Sequence, residues 1–484
     1  MEKAKSQKLI KDTLIYGLAT FGPKLVSFIL LPLYTHYFTS AEYGTWDLVV
    51  TTISLVSPIV TLELIDSVYR WLIEAKRLND RMRIITTGFF ALVKNLMISN
   101  LIAGVFFIMF PNNYWWLSLL IINSDNLSGF VQHCVRALGY NKQFAIIGIL
   151  KTAVSIVFTI FFVFIMHFRI ETFFYSMIIS NIFGLIYSWR FLNFQQYINI
   201  KVYSKNTYKE FIKYSIPLIL GAVNWWVMNV SDRYIIAFYL GVKANGIYAV
   251  ANKLPSLVNV VSSIFYLAWQ DNAIREYNNN ERDKYYSSIF RHYFRLMVTT
   301  VILLTASSRI IMRIMISNQY DSAWKYVGIL YLGAMFSTFS NFWGAAYQGS
   351  KQTNNIFVTT VIGAISNIAI NLALINHIGI YAAAISTFLG FFIMWIMCVL
   401  DSKKEFKIQI DYKEVTVLLT ISFITLLLSF YANIAIDLFI FLVGVVTFII
   451  TNGDIIKKIF TYSYNYKFVS KITVLTKNKI KQAK

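Results

Sequence analysis

Four lysines, Lys24, Lys94, Lys151 and Lys253, lie inside apolar stretches that are each long enough to cross a bilayer. A charged side chain at the centre of such a span costs roughly 2.5 to 3.5 kcal/mol on insertion scales. Lysines persist there when the ammonium group faces an aqueous cavity, pairs with a carboxylate or meets an anionic ligand. An ammonium group is a mobile point charge that can hold an anionic group. We therefore expect these lysines to line a cationic cavity that binds an anionic substrate.

Three of the four lysines lie on or beside helical stripes of small and polar residues. The first stripe comprises Thr13, Gly17, Thr20, Lys24 and Ser27. The stripe with Lys253 at its edge comprises Asn245, Asn252, Ser256, Asn259 and Ser263. The stripe beside Lys151 comprises Gly148, Thr152, Ser155 and Thr159. The stripes predict cavity-facing surfaces, although small polar residues also serve helix packing in membranes.

The lysines also have structural explanations. Lys94 lacks a clean stripe, and Asp125 is the carboxylate with which we expect it to pair if it does not line the cavity. Glu63 is another candidate partner for an intramembrane lysine. Lys151 lies towards one end of its span, where a long side chain can reach the interface.

Other charged and helix-bending residues stand near span ends. Arg70 and Arg136 lie at inner span ends and are candidates for an inner access ring that receives a charged head group, although topology alone also explains them. Asp232 and Arg233 adjoin each other near an outer span end, and we expect a local ion pair rather than an outer gate. Prolines inside spans supply possible bend points: Pro23, Pro58, Pro217 and Pro255.

The composition is that of a polytopic membrane protein. Of the 484 residues, 57% are hydrophobic and only 14% are charged, whereas soluble domains carry about 25% charged residues. Cys134 and Cys398 form neither a disulfide framework nor a zinc-ligand spacing. The catalytic motifs HExxH and GxSxG, a phosphate-binding glycine-rich loop and an acidic metal-binding pair are absent from the sequence. We expect no enzyme activity, no metal and no cofactor.

About fourteen transmembrane helices are predicted, and the first is expected to be a retained span rather than a cleaved signal peptide. The predicted spans are 12–37, 44–68, 84–110, 115–136, 143–166, 171–191, 209–231, 244–269, 293–316, 323–346, 353–375, 379–400, 413–431 and 433–450. Most of the 44 Lys and Arg residues fall in alternate loops on one side of this map. The positive-inside rule therefore predicts that both termini are cytoplasmic.

The net charge of +21 is consequently a feature of the membrane face rather than a nucleic-acid interface. The basic C-terminal tail, 451–484, is expected to lie against anionic lipid head groups or to serve topology alone.

The two halves of the chain contain related motifs. Tyr-Phe-Thr-Ser-Ala-Glu-Tyr-Gly-Thr-Trp at 37–46 matches Tyr-Leu-Gly-Val-Lys-Ala-Asn-Gly-Ile-Tyr at 239–248, which aligns Gly44 with Gly246. The chain is therefore predicted to be all-α, with two pseudo-symmetric six-helix bundles at 1–200 and 201–405, two additional helices at 406–450 and the basic tail. Each repeat has six spans, so the bundles are parallel and related by an axis along the membrane normal. Transporters with such repeats bind substrate between them, near the midplane.

Three motifs make the family resemblance clear: Gly-Pro-Lys-Leu-Val-Ser-Phe at 22–28, Tyr-Phe-Thr-Ser-Ala-Glu-Tyr-Gly at 37–44 and Ala-Leu-Gly-Tyr-Asn-Lys at 137–142. The chain resembles the polysaccharide-biosynthesis flippases of the multidrug/oligosaccharidyl-lipid/polysaccharide exporter superfamily. The resemblance implies a V of two bundles in the bacterial cytoplasmic (inner) membrane and flipping of undecaprenyl-pyrophosphate-linked oligosaccharide repeat units by alternating access, for surface polysaccharide assembly. It also implies a cationic cavity, and a polymerase and glycosyltransferases of the same pathway as partners.

Other functions remain open at this point. A multidrug or organic-cation antiporter of the same superfamily needs acidic residues in its cavity, and Glu63, Asp66 and Asp125 are the acidic minority within the spans. A flippase for the lipid-linked peptidoglycan precursor is a close neighbour of the leading interpretation. A membrane glycosyltransferase or polymerase is disfavoured because the outer loops are short.

Overall fold

The computed structural model describes residues 28–109, 113–350, 353–431, 433 and 435–454. Lys24, Pro23 and the first polar stripe therefore lie outside the described residues, as does the tail from 455 onwards. The described chain is 90% helical without strands, and ten of its helices are long and apolar enough to cross a membrane. The prediction of an all-α multi-pass membrane protein is confirmed, while the count of about fourteen spans stays a prediction.

The helices run in chain order through two halves and an appendix. The N-half consists of α1 Leu31–Tyr37, α2 Ser40–Thr61, α3 Leu64–Glu74, α4 Leu78–Met109, α5 Asn113–Ala137, α6 Asn141–Phe164 and α7 Glu171–Leu192. The C-half consists of α8 Lys205–Leu240, α9 Val242–Ala251, α10 Lys253–Arg275, α11 Arg282–Met315, α12 Trp324–Ser350, α13 Thr353–Ile378 and α14 Ile380–Asp401. The appendix consists of α15 Tyr412–Ser429 and α16 Ala435–Asp454.

The second predicted span, 44–68, is a broken helix rather than one continuous span. It starts earlier than predicted, where Thr39 and the Glu42 side chain form a capping box. The helix ends at Thr61, three residues beyond Pro58, the interior proline of α2, and resumes at Leu64. Leu62 and Glu63 both adopt left-handed backbone, with φ of 52° and 49°. Such residues persist where the surrounding structure holds them, often at functional sites.

Three further predicted spans, 115–136, 244–269 and 323–346, form helices that are not among the ten apolar ones. These are α5, the α9–α10 pair and α12. Their sequences are interrupted by polar side chains, such as the Asn-Ser-Asp-Asn run at 123–126 in α5. In α12 most side chains are buried inside the protein, so this helix contacts other helices rather than lipid.

The predicted bend points are only partly interior to helices. Pro58 and Pro217 lie inside α2 and α8. Pro255 lies in the first turn of α10, a position where proline is tolerated without breaking a helical hydrogen bond. The predicted span 244–269 is interrupted at Asn252, three residues before Pro255, and bending at this point stays a prediction.

Ion pairs near both ends of α11 hold the appendix against this helix. Near the start of α11, Arg291 pairs with Asp411 at 3.2 Å and with Glu414 at 2.8 Å. Near the other end, Arg309 pairs with Asp437 at 3.0 Å, and both side chains are almost fully buried. The Arg309 guanidinium also donates to the carbonyl oxygen of Tyr431 at 2.9 Å and lies 4.5 Å from the centre of the Trp324 ring. Arg309 is thus a buried anchor between the end of α15 and the start of α16.

Candidate functional site

The two halves meet tightly at the end of the molecule that carries the loops 38–39, 165–170, 241 and 316–323. We refer to it as the outer end, following the charge distribution. Gln319 donates a hydrogen bond to the carbonyl oxygen of Phe38 at 2.9 Å, and Tyr320 donates to the same oxygen at 3.0 Å. Thr35 donates to the carbonyl oxygen of Met315 at 3.2 Å. These bonds join the start of the N-half to the loop before α12 and close the outer end.

The motif that repeats between the halves forms the closest contact between them. Gly44 in α2 and Gly246 in α9 lie against each other. A β-carbon on Gly246 would lie 1.8 Å from the carbonyl oxygen of Ser40, and one on Gly44 would lie 2.0 Å from that of Val242. Only glycine permits this approach, because any larger side chain would force the helix backbones apart. The two copies of the repeated motif thus each contribute one glycine to the crossing of α2 and α9.

A cluster of charged side chains lies just below this crossing. The Arg233 guanidinium of α8 contacts the Asp47 carboxylate of α2 at 2.8 Å, and Asp232 lies farther away at 3.9 Å. The Asp47 and Arg233 side chains are only 16% and 15% exposed. Asn245 donates to the carbonyl oxygen of Gly44 at 3.0 Å and to Asp47 at 3.4 Å. The expected local Asp232–Arg233 pair is present at 3.9 Å, and a shorter pair, Asp47–Arg233, joins the two halves.

Asp232 is occupied within the C-half instead. Its carboxylate accepts hydrogen bonds from the hydroxyls of Tyr248 and Thr387. Because the buried Asp232 carboxylate already accepts hydrogen bonds from two hydroxyls, it does not need the Arg233 guanidinium as its main partner. Arg233 is consequently left to bridge the halves.

Lys253 stands at the first position of α10, where the chain leaves α9 through Asn252. Its ammonium nitrogen lies 5.9 Å from the centre of the Tyr43 ring in α2. Asp47 and Arg233 are the charged groups that act on it. The structure therefore places Lys253 at the boundary between the halves, beside the Asp47–Arg233 pair. The one carboxylate of Asp47 serves two cations of the C-half.

The other predicted lysines have different surroundings. The Lys151 ammonium lies 3.6 Å from the Asp125 carboxylate, and its aliphatic stem covers Gly184. Asp125 is thus the partner of Lys151 and not, as we expected, of Lys94. Lys94 is exposed and lies 5.0 Å from the centre of the Tyr208 ring, a distance suited to a cation–π contact. Whether the lysines share one cavity stays a prediction.

Of the two candidate inner-access arginines, Arg70 lies on α3, and Arg136 lies on α5 and contacts α3. Arg70 pairs with Glu74 at 2.5 Å, and both side chains are at least half exposed. The Arg136 guanidinium lies 4.9 Å from the centre of the Tyr69 ring. An exposed i,i+4 pair contributes only about 0.3 to 0.5 kcal/mol, so it leaves Arg70 accessible to a competing anion. At this inner end the halves also touch, because Ser67 of α3 donates to the carbonyl oxygen of Phe211 in α8 at 3.2 Å.

The C-half contains a polar cavity of about 730 Å³ between α8, α10 and α12. Asn259 and Ser263, from the stripe predicted next to Lys253, line it. Sequence reasoning missed the other half of the lining, Asn229 and Asn341 among them, because these residues come from helices remote in sequence. The N-half contains a cavity of about 680 Å³ between α2, α4 and α5 that is lined almost entirely by apolar side chains.

In the part of the chain that the structure describes, no group of three or more His, Cys, Asp or Glu side chains could hold a metal ion. At the outer surface, Arg169 makes two hydrogen bonds of 2.9 Å to the Glu42 carboxylate. These bonds raise the pKa of Arg169 above its usual value, so the arginine remains charged and stays paired with Glu42, which belongs to the capping box of α2. The site thus consists of ion pairs, amides and aromatic rings, groups that can bind a polar ligand.

Comparison with known proteins agrees with this picture. A family model described as polysaccharide biosynthesis protein matches residues 9–269. The uncharacterized membrane protein MJ1068 of Methanocaldococcus jannaschii is 23% identical over 368 residues, which cover 72% of this chain and 70% of that protein.

Two solved transporter structures share the fold. The lipid II flippase MurJ in an inward closed conformation has a TM-score of 0.67 at 14% identity, over 92% of this chain and all of that chain. An inward-facing multidrug resistance MATE family transporter of the MOP superfamily has a TM-score of 0.64 at 11% identity, over 82% of this chain and 96% of that one. At these identities the likeness shows a shared fold.

Proposed function

This chain belongs to the polysaccharide biosynthesis protein family, and we propose that it is a flippase for undecaprenyl-pyrophosphate-linked oligosaccharide repeat units. It moves them from the cytoplasmic to the outer leaflet of a bacterial cytoplasmic membrane by alternating access, with both termini on the cytoplasmic side. Its partners are anionic lipids and the polymerase and glycosyltransferases that use or supply the same lipid. The transporter fold of MurJ and MATE proteins supports the transport step.

One observation carries the proposal: Asp47 of the N-half is the carboxylate that faces both Arg233 and Lys253 of the C-half. When the halves separate at the outer end, Asp47 moves away with the N-half. Asp232 stays with the C-half. The face of the C-half then carries two cations, Arg233 and Lys253, and one carboxylate. A site with an excess of positive charge favours an anionic ligand over an organic cation.

The same geometry supplies a mechanism for opening. A pyrophosphate brings concentrated negative charge and competes with Asp47 for the two cations. Substrate binding thereby weakens the ion pair that holds the halves together at the outer end. A ligand shifts a conformational equilibrium only by its differential affinity for the two states, and this competition provides that difference.

The test is transport in sealed proteoliposomes that contain the purified full chain. A fluorescent undecaprenyl-pyrophosphate oligosaccharide, fluorescent lipid II and ethidium are offered in parallel, and protein-free vesicles set the background. We expect protein-dependent leaflet exchange of the oligosaccharide lipid and no ethidium transport. Ethidium transport without lipid movement would establish a cation antiporter, and movement of lipid II alone would establish a peptidoglycan-precursor flippase.

A further inference from the structure

The C-half holds a continuous polar space near the middle of its helices. The cavity of about 730 Å³ adjoins a second one of about 720 Å³, and the two share Trp225 and Asn341. Each lies within the range of about 300 to 1,000 Å³ that is usual for ligand pockets. We call these two cavities together the amide chamber.

The polar part of the lining of the amide chamber consists of uncharged groups. Five side-chain amides line it, those of Asn224, Asn229, Asn259, Asn341 and Gln348. Hydroxyls and Trp225, which is 42% exposed, add to them. Among the residues that the structure describes, those that line the two cavities include no Asp, Glu, Lys or Arg. An organic cation would find no carboxylate in this chamber, and a pyrophosphate would find no cation.

Several of these amides have hydrogen-bonding capacity to spare. Among the residues that the structure describes, none hydrogen-bonds to the side-chain amide of Asn224, Asn259 or Asn341. Asn229 donates to the carbonyl oxygen of Trp225 at 2.8 Å, which leaves its own side-chain oxygen to accept. Polar groups at this depth in a membrane protein need partners, because an amide without a hydrogen bond is costly to bury. The chamber must therefore hold water or a ligand rich in hydrogen-bonding groups.

Neutral sugars match this lining. Each sugar hydroxyl both donates and accepts, and an amide offers an acceptor oxygen and two donor hydrogens on one rigid plane. The exposed face of Trp225 offers an apolar surface on which the C–H face of a pyranose can lie. The apolar cavity of the N-half provides no comparable set of donors and acceptors.

The amide chamber also adjoins the charged cluster. Arg233 donates to the backbone carbonyl oxygen of Asn229 at 3.2 Å, so a cluster residue and a chamber residue lie on successive turns of α8. On α10, Lys253 precedes Asn259 by six positions, about 9 Å along the helix axis. A pyrophosphate on the cations thus leaves its attached sugar within reach of the chamber.

We propose that the amide chamber is the sugar subsite of the transported lipid and that it binds the uncharged sugars next to the pyrophosphate. This inference rests on the flippase function proposed above, and it assigns the pyrophosphate and the sugars of the substrate to different parts of the site. The pyrophosphate binds at Lys253 and Arg233, and the first sugars bind among the amides of α8, α10 and α12.

The test measures binding of two kinds of lipid to the full chain in nanodiscs. Undecaprenyl pyrophosphate without sugar is compared with a panel of the same lipid bearing N-acetylglucosamine, glucose or galactose. Wild type should prefer at least one sugar-bearing lipid. In the variant Asn259→Leu/Asn341→Leu this preference should fall by roughly 30-fold, because each lost hydrogen bond is worth roughly a factor of five. Affinity for the sugar-free lipid should stay within about threefold of wild type, since its site is untouched.

The matched control is Asn100→Leu, the same change at an N-half amide that pairs with Asn123 at 3.1 Å. It should retain the wild-type sugar preference. The variant Asn259→Ala/Asn341→Ala, which adds no bulk, is measured alongside to separate lost hydrogen bonds from misfolding. A sugar preference that survives in both chamber variants, or that is absent in wild type for the whole panel, overturns the sugar subsite but leaves the flippase. Failure of wild type to bind any of these lipids overturns the flippase and the subsite together.

Discussion

The ion pair between the halves makes a specific prediction about outer gating. Asp47→Asn keeps the size of the side chain and its contact with Asn245, but it removes the carboxylate that faces Arg233 and Lys253. Two cations of the C-half then face the N-half without a carboxylate there. We expect the variant to open at the outer end, where water can solvate both cations.

The structure gives the size of the effect. Removing one partner of a buried ion pair costs about 3 to 5 kcal/mol, and the Asp47 and Arg233 side chains are nearly buried. Asp232, 3.9 Å from Arg233, recovers part of that loss. We therefore expect a shift of about 2 kcal/mol towards the outer-open state, roughly 30-fold in the equilibrium constant. Arg233→Met should have a smaller effect, because Lys253 remains to neutralise Asp47.

Distance measurement between spin labels reads out this equilibrium. Labels on cysteines introduced at His167 and Lys325 report the separation of the halves at the outer surface, where both residues are exposed. The native Cys134 and Cys398 are buried and should not react. We expect one short-distance population in wild type and a second, longer one in Asp47→Asn.

The double variant Asp47→Asn/Arg233→Met is the internal control, because it removes one of the two cations that lose Asp47 as their partner in the N-half. It should be less open than Asp47→Asn alone. An unchanged distance distribution in Asp47→Asn would refute the gate. A larger effect of Arg233→Met than of Asp47→Asn would refute the sharing of Asp47 by two cations.

Three further predictions concern single contacts. Gly246→Leu should open the outer end in the same label experiment, since even its β-carbon would overlap the Ser40 carbonyl oxygen; an unchanged closed population would contradict this. Arg309→Leu should destabilise the chain by about 3 to 5 kcal/mol in thermal unfolding, because it leaves the buried Asp437 unpaired. The double variant Arg309→Leu/Asp437→Leu should recover most of this loss. Equal stability of the two variants would count against the buried pair. Lys151→Met should lower stability by no more than about 1 kcal/mol, since the Asp125 side chain is 43% exposed. The variant should also bind the sugar-free lipid as well as wild type does. Loss of that binding would instead place Lys151 in the substrate site.

Much of the architecture follows from composition and periodicity. Apolar length identifies ten long apolar helices that the structure contains, and the charge of the loops predicts their orientation. The repeated Gly44 and Gly246 motifs indicate two related halves, and the structure brings these two glycines into contact. The sequence does not reveal the break at Leu62 and Glu63, because neither residue favours the left-handed backbone that both adopt.

The candidate site was harder to predict because its partners are distant in the chain. Lys253 stood out as a charge within a span, but nothing local connects it with Asp47. Arg233 adjoins Asp232 in sequence, which favoured a local pair, and only the packing of α2 against α8 and α9 shows that Asp47 is closer. The amides of the chamber come from α8, α10 and α12, so a stripe on α10 predicted one wall and no more.

The most direct test of the central claim is the initial rate of leaflet exchange of a fluorescent undecaprenyl-pyrophosphate oligosaccharide in proteoliposomes, measured for wild type, Lys253→Ala and Lys243→Ala. Lys243 is an exposed lysine at the start of α9 and provides the matched control. We predict protein-dependent exchange in wild type that is retained in Lys243→Ala and reduced at least about tenfold in Lys253→Ala, the loss expected from one charge-assisted contact. Equal rates in all three proteins would contradict the cationic site, and no exchange in wild type would contradict the flippase.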